Sequence, residues 1–431
     1  MSYSEVLILL FSFLTFLAIG VPIAYSIGLS ALFTLLVSMD FWSATTTLAQ
    51  RMATSLDSFA LLAIPFFILA GQLMNQGGIA DRLIKFSKVL VGRLPGGLAF
   101  VNIIACMLFG AISGSAVAAA SAIGGFMNPM MEKEGYAKSF GAAVNITSST
   151  TGLIIPPSNI LIIYSLASGG VSIAALFLAG YVPGILMGLA LMTVAAVYAI
   201  IKKYPTDKSV KLSDFFPRFF DALPSLFLLI VVIGGIVGGI FTATEASAVA
   251  VVYTLVLAFV YKEIKVSDLP EIVLETIKTT AIVMLLIATS IGMSWVMSYE
   301  NIPQEISATL ISISNNPIII LLIINLILLF VGVFMDMTPA VLIFTPIFLP
   351  IVNELGLDPI HYGIVMIMNL CIGLCTPPVG SVLFVGCGVA KLSIQKVIRP
   401  MLPFFLIMIV VLMLVTYIPG LSLWLPGLFD L

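Results

Sequence analysis

The sequence predicts an all-α polytopic membrane protein, an inverted repeat in which each half has five crossings and a re-entrant helical hairpin. Composition gives the first support, because 61% of the 431 residues are hydrophobic and 9% are charged, whereas a soluble chain carries roughly 25% charged residues. Apolar runs long enough to cross a bilayer give the second. A recurrence of Pro and Gly at one constant spacing in the two halves gives the third. This composition excludes soluble enzymes, nucleic-acid-binding proteins and disulfide scaffolds, and it makes the lipid bilayer the surrounding solvent.

The apolar runs predict the helices in chain order. The first run, 5–39, is longer than one span and has Val21-Pro22 at its middle, so it predicts two short helices, because proline removes a backbone donor. Single spans are predicted at about 57–77, 171–201, 222–240, 243–261, 279–299 and 401–425. Two runs, about 97–131 and 318–352, have the length of two short helices each and predict hairpins. Two others, about 138–168 and 360–390, contain paired prolines and predict broken helices.

Charge placement predicts the orientation of the chain. If both hairpins return to their own side and the N-terminus is outside, 17 of the 18 Lys and Arg residues lie in cytoplasmic segments, with Arg51 the exception. Such a distribution agrees with the positive-inside rule. Lys208, Lys211 and Arg218 belong to a predicted cytoplasmic linker, 206–221. No Lys or Arg precedes the first run, which favours a retained span over a signal peptide.

The repeat predicts two domains, 1–205 and 222–431. At one constant spacing, which we call the repeat spacing, Gly71 matches Gly292, Gly152 matches Gly373, and the proline pair at 156–157 matches the pair at 377–378. An odd number of crossings in each half requires the second copy to be inverted. Inverted repeats with broken helices are typical of secondary transporters, although a duplication that serves only as a scaffold gives the same pattern.

The hairpin tips are the first candidate site elements. The first tip contains Ser113, Gly114 and Ser115, and the second contains Asp336 with Met337 and Thr338. Irregular backbone at membrane depth is tolerated where it is buried or lines a wet cavity. Hydroxyls and free carbonyls suit a small cation, and a helix N-terminus suits an anion. The alternatives are close helix packing through small residues, and a capping role for the Asp336 carboxylate.

The broken helices are the second candidate site elements. Consecutive prolines cannot continue a helix, so each span splits and leaves free carbonyls and amides at its centre. The surrounding clusters of polar and small residues favour a binding site over a simple kink. The candidates in the first break are Asn145, Thr150, Thr151, Gly152, Pro156, Pro157, Ser158 and Asn159. Those in the second break are Gly373, Cys375, Thr376, Pro377, Pro378 and Ser381.

Other ionisable and metal-binding side chains predict structural roles. Glu245 follows Thr242 at the spacing of a capping box. His361, the only histidine, is expected at the membrane interface, and Cys371 and Cys375 are expected to pack as core residues. No Lys or Arg falls inside a predicted span, so an anionic ligand would have to meet backbone amides, hydroxyls and bound cations.

The motifs SGSAVA, TGLIIPPSN, MDMTPA and GLCTPPVGS, in this order, resemble those of the large membrane subunit of tripartite ATP-independent periplasmic (TRAP) transporters. The resemblance extends over nearly the whole chain. It implies sodium-coupled secondary uptake of small organic acids, such as sialic acid or C4-dicarboxylates, across the bacterial inner membrane by an elevator-type fold. It also implies a separate four-helix membrane subunit and a periplasmic substrate-binding protein as partners. Both termini would be on or near the periplasmic side, and co-transported sodium would be needed without an organic cofactor.

The resemblance also implies roles for the candidate residues. One sodium site would use the first tip, 113–115, with Asn145 and 150–152. The other would use the second tip, 336–338, with Gly373, Cys375 and Thr376. The substrate would lie between them, near Ser158, Asn159 and Ser381 and the two proline pairs. Because thiols in the second break replace hydroxyls of the first, the two sodium sites are expected to differ.

Two other functions fit parts of the sequence. A stand-alone sodium/dicarboxylate symporter with the same hairpin architecture would need no binding protein. An intramembrane enzyme would need clustered catalytic groups within the spans, and the lone His361 and the absence of buried Lys disfavour it. The sequence therefore predicts a transporter and not an enzyme.

Overall fold

The computed structural model describes residues 4–204, 215–314 and 316–431, and within these ranges the chain forms helices and turns without strands. The helices of the first half are α1 (Ser4–Ala18), α2 (Ile23–Ser38), α3 (Phe41–Ser55), α4 (Ala63–Gln76), α5 (Ile79–Val91), α6 (Gly97–Ser113), α7 (Ala116–Lys133), α8 (Lys138–Ser149), α9 (Asn159–Ala167) and α10 (Ile173–Lys202). Those of the second half are α11 (Phe215–Val237), α12 (Ala243–Val260), α13 (Leu269–Tyr299), α14 (Ile302–Ile313), α15 (Pro317–Phe334), α16 (Met337–Glu354), α17 (Pro359–Gly373), α18 (Ser381–Ala390), α19 (Ile394–Tyr417) and α20 (Gly420–Gly427). The all-helical prediction is confirmed for the described residues.

Eight helical segments in the described ranges are long and apolar enough to cross a bilayer. They are Phe59–Gln76, Ile173–Lys202, Phe215–Val237, Ala243–Val260, Val266–Tyr299, Pro317–Phe334, Met337–Glu354 and Ile394–Tyr417. Shorter apolar helices, among them α1, α2, α6, α17 and α18, lie next to turns or to other short helices in the chain. The chain is therefore a multi-span helical protein whose shorter helices occur where the sequence contains Pro and Gly.

Local sequence explains several helix boundaries. The predicted division of the first run is confirmed, because α1 ends before Gly20, which has φ +84°, and α2 follows Pro22. The predicted capping box is confirmed at the start of α12, where the Thr242 Oγ accepts the Glu245 N–H at 3.2 Å. The carboxylate of Glu245 in turn accepts the Thr242 N–H at 2.8 Å.

The structure departs from the sequence predictions in two places. Helix α3 was not predicted, because its polar sequence lacks an apolar run, and it packs against α2 and α13. Positions 215–221 of the predicted linker form the start of α11, whereas Lys208 and Lys211 lie outside the described residues. The interfacial position of His361 stays a prediction. The residue is 2% exposed, and its ring contacts Ser422 Oγ at 2.7 Å and the Thr416 carbonyl at 3.2 Å.

The helices of the two halves correspond at the repeat spacing. Helices α7 and α16 match at both ends, and their packing is reciprocal, since α7 lies against α18 while α16 lies against α9. Likewise α8 packs on α19 and α17 packs on α10. The Cys371 thiol donates to the carbonyl of Thr150, its counterpart in the first half, at 3.3 Å. Cys371 and Thr150 thus lie one repeat spacing apart and touch, and we call this contact the centre.

Two sets of helices flank this centre. In one set, which we call the outer set, α2 packs on α13 and α4 packs on α12; the other set contains α6–α9 and α15–α18. Helix α5 contacts both α6 and α11, and α14 contacts both α16 and α13. Arg82, at the start of α5, lies 3.4 Å from the Asp221 carboxylate and 3.6 Å from the centre of the Tyr261 ring. These contacts hold α5 against the outer set near its first turn.

Candidate functional site

The two hairpin tips and the two helix breaks meet around one cavity of about 510 Å³. We define tip 1 as 113–115, tip 2 as 336–338, break 1 as 150–158 and break 2 as 374–380. Both tips line the cavity, as do the first residues of α9 and α18, which follow the breaks. The cavity also meets α4 and α13 of the outer set, so it lies between the two sets of helices.

Tip 1 is a tight link between α6 and α7. Gly114 has φ +63°, a conformation that favours glycine, and a Cβ there would lie 2.7 Å from the Asn159 Nδ2. Ser115 caps α7, and its Oγ accepts the Ala118 N–H at 3.2 Å. Glycine thus lets tip 1 reach the start of α9 while a serine oxygen satisfies the first turn of α7.

Tip 2 has a carboxylate where tip 1 has a hydroxyl. Asp336 occupies the N-cap position of α16 in extended conformation, but its side chain makes no capping hydrogen bond to the first turn of α16, all of which is described. The residue is exposed and lines the cavity. Among the described residues that line this cavity, Asp336 is the only formally charged one. Its carboxylate is therefore available to a ligand.

Break 1 leaves the start of α9 without a side-chain cap. The Pro156–Pro157 peptide bond is cis. Ser158 occupies the N-cap position, but its hydroxyl donates to the Leu153 carbonyl at 2.6 Å and caps nothing. The first turn of α9 thus has no side-chain cap, although the Leu161 N–H donates to the Ser158 carbonyl at 3.2 Å.

Break 2 likewise leaves the start of α18 without a side-chain cap, although the Val382 N–H donates to the Leu374 carbonyl at 3.2 Å. The Pro377–Pro378 bond is also cis, and the N-cap residue Gly380 has φ +48° and no side chain. A Cβ on Gly380 would lie 2.7 Å from the Leu374 carbonyl oxygen, so glycine is required for this close turn. The Ser381 Oγ is buried and has no hydrogen-bond partner in the described chain. It is the one hydroxyl of the cavity wall that is both buried and unpaired among the described residues.

Four helices begin at the cavity, and their N-termini contribute positive partial charge to it. Residues of α7, α9, α16 and α18 from the first turn line it, and α9, α16 and α18 have no side-chain cap. A helix N-terminus acts as roughly +0.5 charge with free N–H donors. No Lys or Arg of the described residues lines the cavity. The wall can therefore bind an anion through backbone dipoles, while Asp336 and tip oxygens can bind a cation.

The structure places the predicted site residues in two groups. Those that line the cavity are Ser113, Gly114, Ser115, Asn159, Asp336, Met337, Thr338 and Ser381. Those that do not are Asn145, Thr150, Thr151, Gly152, Pro156, Pro157, Ser158, Gly373, Cys375, Thr376, Pro377 and Pro378. The second group lies behind the wall, in or next to the breaks.

Several residues behind the wall have contacts that position the breaks. Asn145 is fully buried and its Nδ2 lies 3.3 Å from Asn102 Oδ1 of α6. The Thr376 hydroxyl donates to the carbonyl of Ile372 in the preceding turn at 2.7 Å. Cys375 is a free, buried thiol, and no group of three His, Cys, Asp or Glu residues in the described ranges is arranged to hold a metal ion. Any ion bound here would have to use carbonyl and hydroxyl oxygens.

Four polar residues of the cavity wall were not predicted from the sequence. The outer set contributes Gln72 and Asn75 of α4 and Thr279 of α13, and α7 contributes Ser121. The available signal was helical periodicity, because Ile64, Ile68, Gln72 and Asn75 fall on one face of α4. That face shows in the sequence, but its exposure to a cavity does not.

Comparison with known families identifies the chain. The family model for the DctM component of the tripartite ATP-independent periplasmic transporters matches residues 10–421. The chain belongs to the DctM family. The resemblance inferred from the tip and break motifs is thus confirmed, and the DctM chain is a multi-span protein of the bacterial inner membrane.

Relatives of the DctM chain agree over nearly its full length. It is 58% identical to the uncharacterized protein YgiK of Salmonella typhimurium, over 98% of each chain. It is 43% identical to the C4-dicarboxylate TRAP transporter large permease protein DctM of Pseudomonas aeruginosa, over 93% of this chain and 94% of that one. It is 40% identical to the isethionate TRAP transporter permease protein DctMQ of Oleidesulfovibrio alaskensis, over 96% of this chain and 65% of that one. The last two names are those of permeases and not of enzymes.

A solved structure supports the fold of the DctM chain. The YdaH transporter of Alcanivorax borkumensis superposes with a TM-score of 0.68 at 14% identity, over 89% of each chain. At this identity the similarity concerns the fold alone.

Proposed function

We propose that this DctM chain is the large membrane subunit of a sodium-coupled uptake system for small organic acids. The observation that carries the proposal is the cavity in which four helix N-termini meet, with Asp336 as the only charged residue in the part of its lining that the structure describes. C4-dicarboxylates and sialic acid represent the substrate class. The names of the C4-dicarboxylate and isethionate relatives support a small organic anion as the solute.

Sodium coupling follows from the charge of the cavity. Uncapped helix N-termini attract a carboxylate, but Asp336 opposes a second negative charge at the same place. A co-bound cation removes this repulsion and adds positive charge next to the solute. In the proposed arrangement one sodium ion uses tip 1 with Asn145 and 150–152, and another uses tip 2 with 373–376. The solute lies between them against the starts of α9 and α18.

The division of the helices supports an elevator mechanism. The hairpins and broken helices would move as one body with the solute, while α2, α4, α12 and α13 stay fixed in the membrane. Helices α5 and α14 touch both sets of helices and would serve as the connecting arms. In this proposal the repeats are inverted, both hairpins are re-entrant, and both termini are on or near the periplasmic side.

Two partners complete the proposed system. The family description names a tripartite periplasmic transporter of which DctM is one component. We therefore assign this chain a separate small membrane subunit of four helices and a soluble binding protein that delivers the solute. The DctMQ relative is longer than this chain, which covers 65% of it, and this agrees with fusion of two membrane subunits in that protein.

Reconstituted transport tests the proposal. Liposomes would contain this chain and its small subunit, and the binding protein would be added outside with radiolabelled succinate or N-acetylneuraminate. We expect uptake with an inward sodium gradient and none with an equal choline gradient. Equal uptake in choline would refute sodium coupling. Uptake at full rate without the binding protein would instead favour the stand-alone symporter.

A further inference from the structure

Helix α4 contributes a polar patch to the cavity wall that the proposed sodium and solute sites do not use. Its cavity face contains Ile64 and Ile68 at one end and Gly71, Gln72 and Asn75 at the other. Asn75 is exposed and Gln72 is half-buried. The wall formed by the outer set is thus apolar at one end and carries two carboxamides at the other.

Neither carboxamide is used in a hydrogen bond within the described part of the chain. No hydrogen bond or ion pair within the described residues involves the side chain of Gln72 or Asn75. Thr279, the polar wall residue on α13, differs, because its hydroxyl already donates to the Glu275 carbonyl at 2.9 Å. Each carboxamide can donate two hydrogen bonds and accept others. The two amides therefore retain their full hydrogen-bonding capacity for a ligand.

A close helix contact holds this patch beside tip 1. A Cβ on Gly71 would lie 2.8 Å from the Ser113 carbonyl oxygen, so the backbones of α4 and tip 1 approach as closely as glycine permits. Gln72 is next to Gly71, and Asn75 is one turn further on. The two amides consequently border the cavity at the edge of tip 1.

We propose that Gln72 and Asn75 recognise a second polar group of the transported acid. The uncapped helix N-termini bind its carboxylate, and the amides bind a hydroxyl, carbonyl or second carboxylate elsewhere on the molecule. An acid without such a group makes no hydrogen bond to either amide and lacks the binding free energy that such a bond contributes. The cavity therefore selects bifunctional acids over simple monocarboxylates. This inference rests on the proposed function, and it adds a specificity role for the outer set of helices.

Ligand binding to the full chain in lipid nanodiscs tests the inference. The thermal midpoint is measured in saturating NaCl against succinate, malate, gluconate and N-acetylneuraminate, with butyrate as the monofunctional reference. We expect the best bifunctional acid to half-saturate the protein at a concentration about tenfold or more below that of butyrate. One good hydrogen bond has an effect of this size. Gln72→Leu and Asn75→Leu should bring the ratio of these two half-saturating concentrations towards one. Both variants should weaken binding of the bifunctional acid and leave binding of butyrate unchanged.

The controls separate the inference from the proposed function. Gln76→Leu changes an exposed amide on the same helix that does not line the cavity, and it should keep the wild-type ratio. Gln72→Glu should weaken the binding of succinate more than the binding of gluconate, since only succinate brings a second negative charge. If the wild type binds the acids and both leucine variants keep its ratio, the inference is overturned. If no acid in the panel stabilises the wild type, the proposed function fails as well.

Discussion

At the scale of single residues, the two hairpin tips differ in backbone and in chemistry, since Gly114 has φ +63° while its counterpart Met335 has φ -115°. Ser115 and Asp336 correspond at the repeat spacing, and each is the N-cap residue of the second hairpin helix. The serine uses its oxygen to accept the Ala118 N–H, whereas the aspartate makes no capping hydrogen bond and faces the cavity. This difference supports the proposal that the Asp336 carboxylate binds a cation.

Replacing Asp336 by Asn tests that role. Asparagine caps helices as well as aspartate does, so Asp336→Asn should keep the amount of protein in the membrane while it weakens the sodium dependence of uptake. The measurement is the sodium concentration for half-maximal uptake in proteoliposomes. Asp358→Asn is the matched control, because Asp358 caps α17 through the Ile360 N–H and lies outside the cavity. An unchanged sodium response in Asp336→Asn would reduce Asp336 to a structural residue.

Residue types in the sequence were sufficient to predict the tips and breaks, and insufficient to predict which side chains face the cavity. Gly, paired Pro and Ser have backbone consequences that can be derived locally. The direction of Asn145 or Thr150 depends on the helix that packs against it, and Gln72 faces the cavity because of the contact between Gly71 and tip 1. The contacts of His361 with Ser422 and Thr416 likewise depend on how α19 and α20 pack, which the sequence does not reveal.

At the scale of helices, glycine pairs join each hairpin to its broken helix. A Cβ on Gly152 would lie 2.5 Å from the Gly110 Cα, and a Cβ on Gly373 would lie 2.5 Å from the Gly332 Cα. Both contacts bring the first hairpin helix against the residue at which the following span breaks. Small residues at such crossings let membrane helices approach closely. The tip and the break of each half are therefore held in fixed relation to each other.

Adding one methyl group at these crossings should disrupt them. Gly152→Ala and Gly373→Ala should each cost about 1–3 kcal/mol, the range for overpacking a filled contact, and should lower the midpoint of thermal unfolding and the rate of uptake. Gly125→Ala is the control, because no atom lies within 4 Å of its added Cβ. This control should retain or slightly raise stability, since Ala favours a helix more than Gly does. Equal midpoints for all three variants would contradict the role of the glycine pairs.

At the scale of the whole molecule, the internal repeat organises both the core and the cavity. Helix ends correspond at the repeat spacing, and Cys371 touches its counterpart Thr150. The matching positions of Pro and Gly made this correspondence visible in the sequence. Helix α3 has no counterpart helix, because the corresponding stretch in the second half is part of the turn before α13 and of α13 itself. A single sequence therefore reveals a repeat where both copies keep the same backbone geometry and hides it where they have diverged in form.

Inversion of the repeat makes opposite predictions for two counterpart positions. Glu132 and Asn353 correspond at the repeat spacing, and both are exposed near the ends of α7 and α16. If the copies are inverted, Asn353→Cys should react with a membrane-impermeant maleimide on intact spheroplasts, and Glu132→Cys should react only after permeabilisation. The four native cysteines are free and buried, so the parent chain gives a low background. Labelling of both variants from the same side would mean that the two copies are parallel, and the positive-inside assignment of the loops would then be wrong with it.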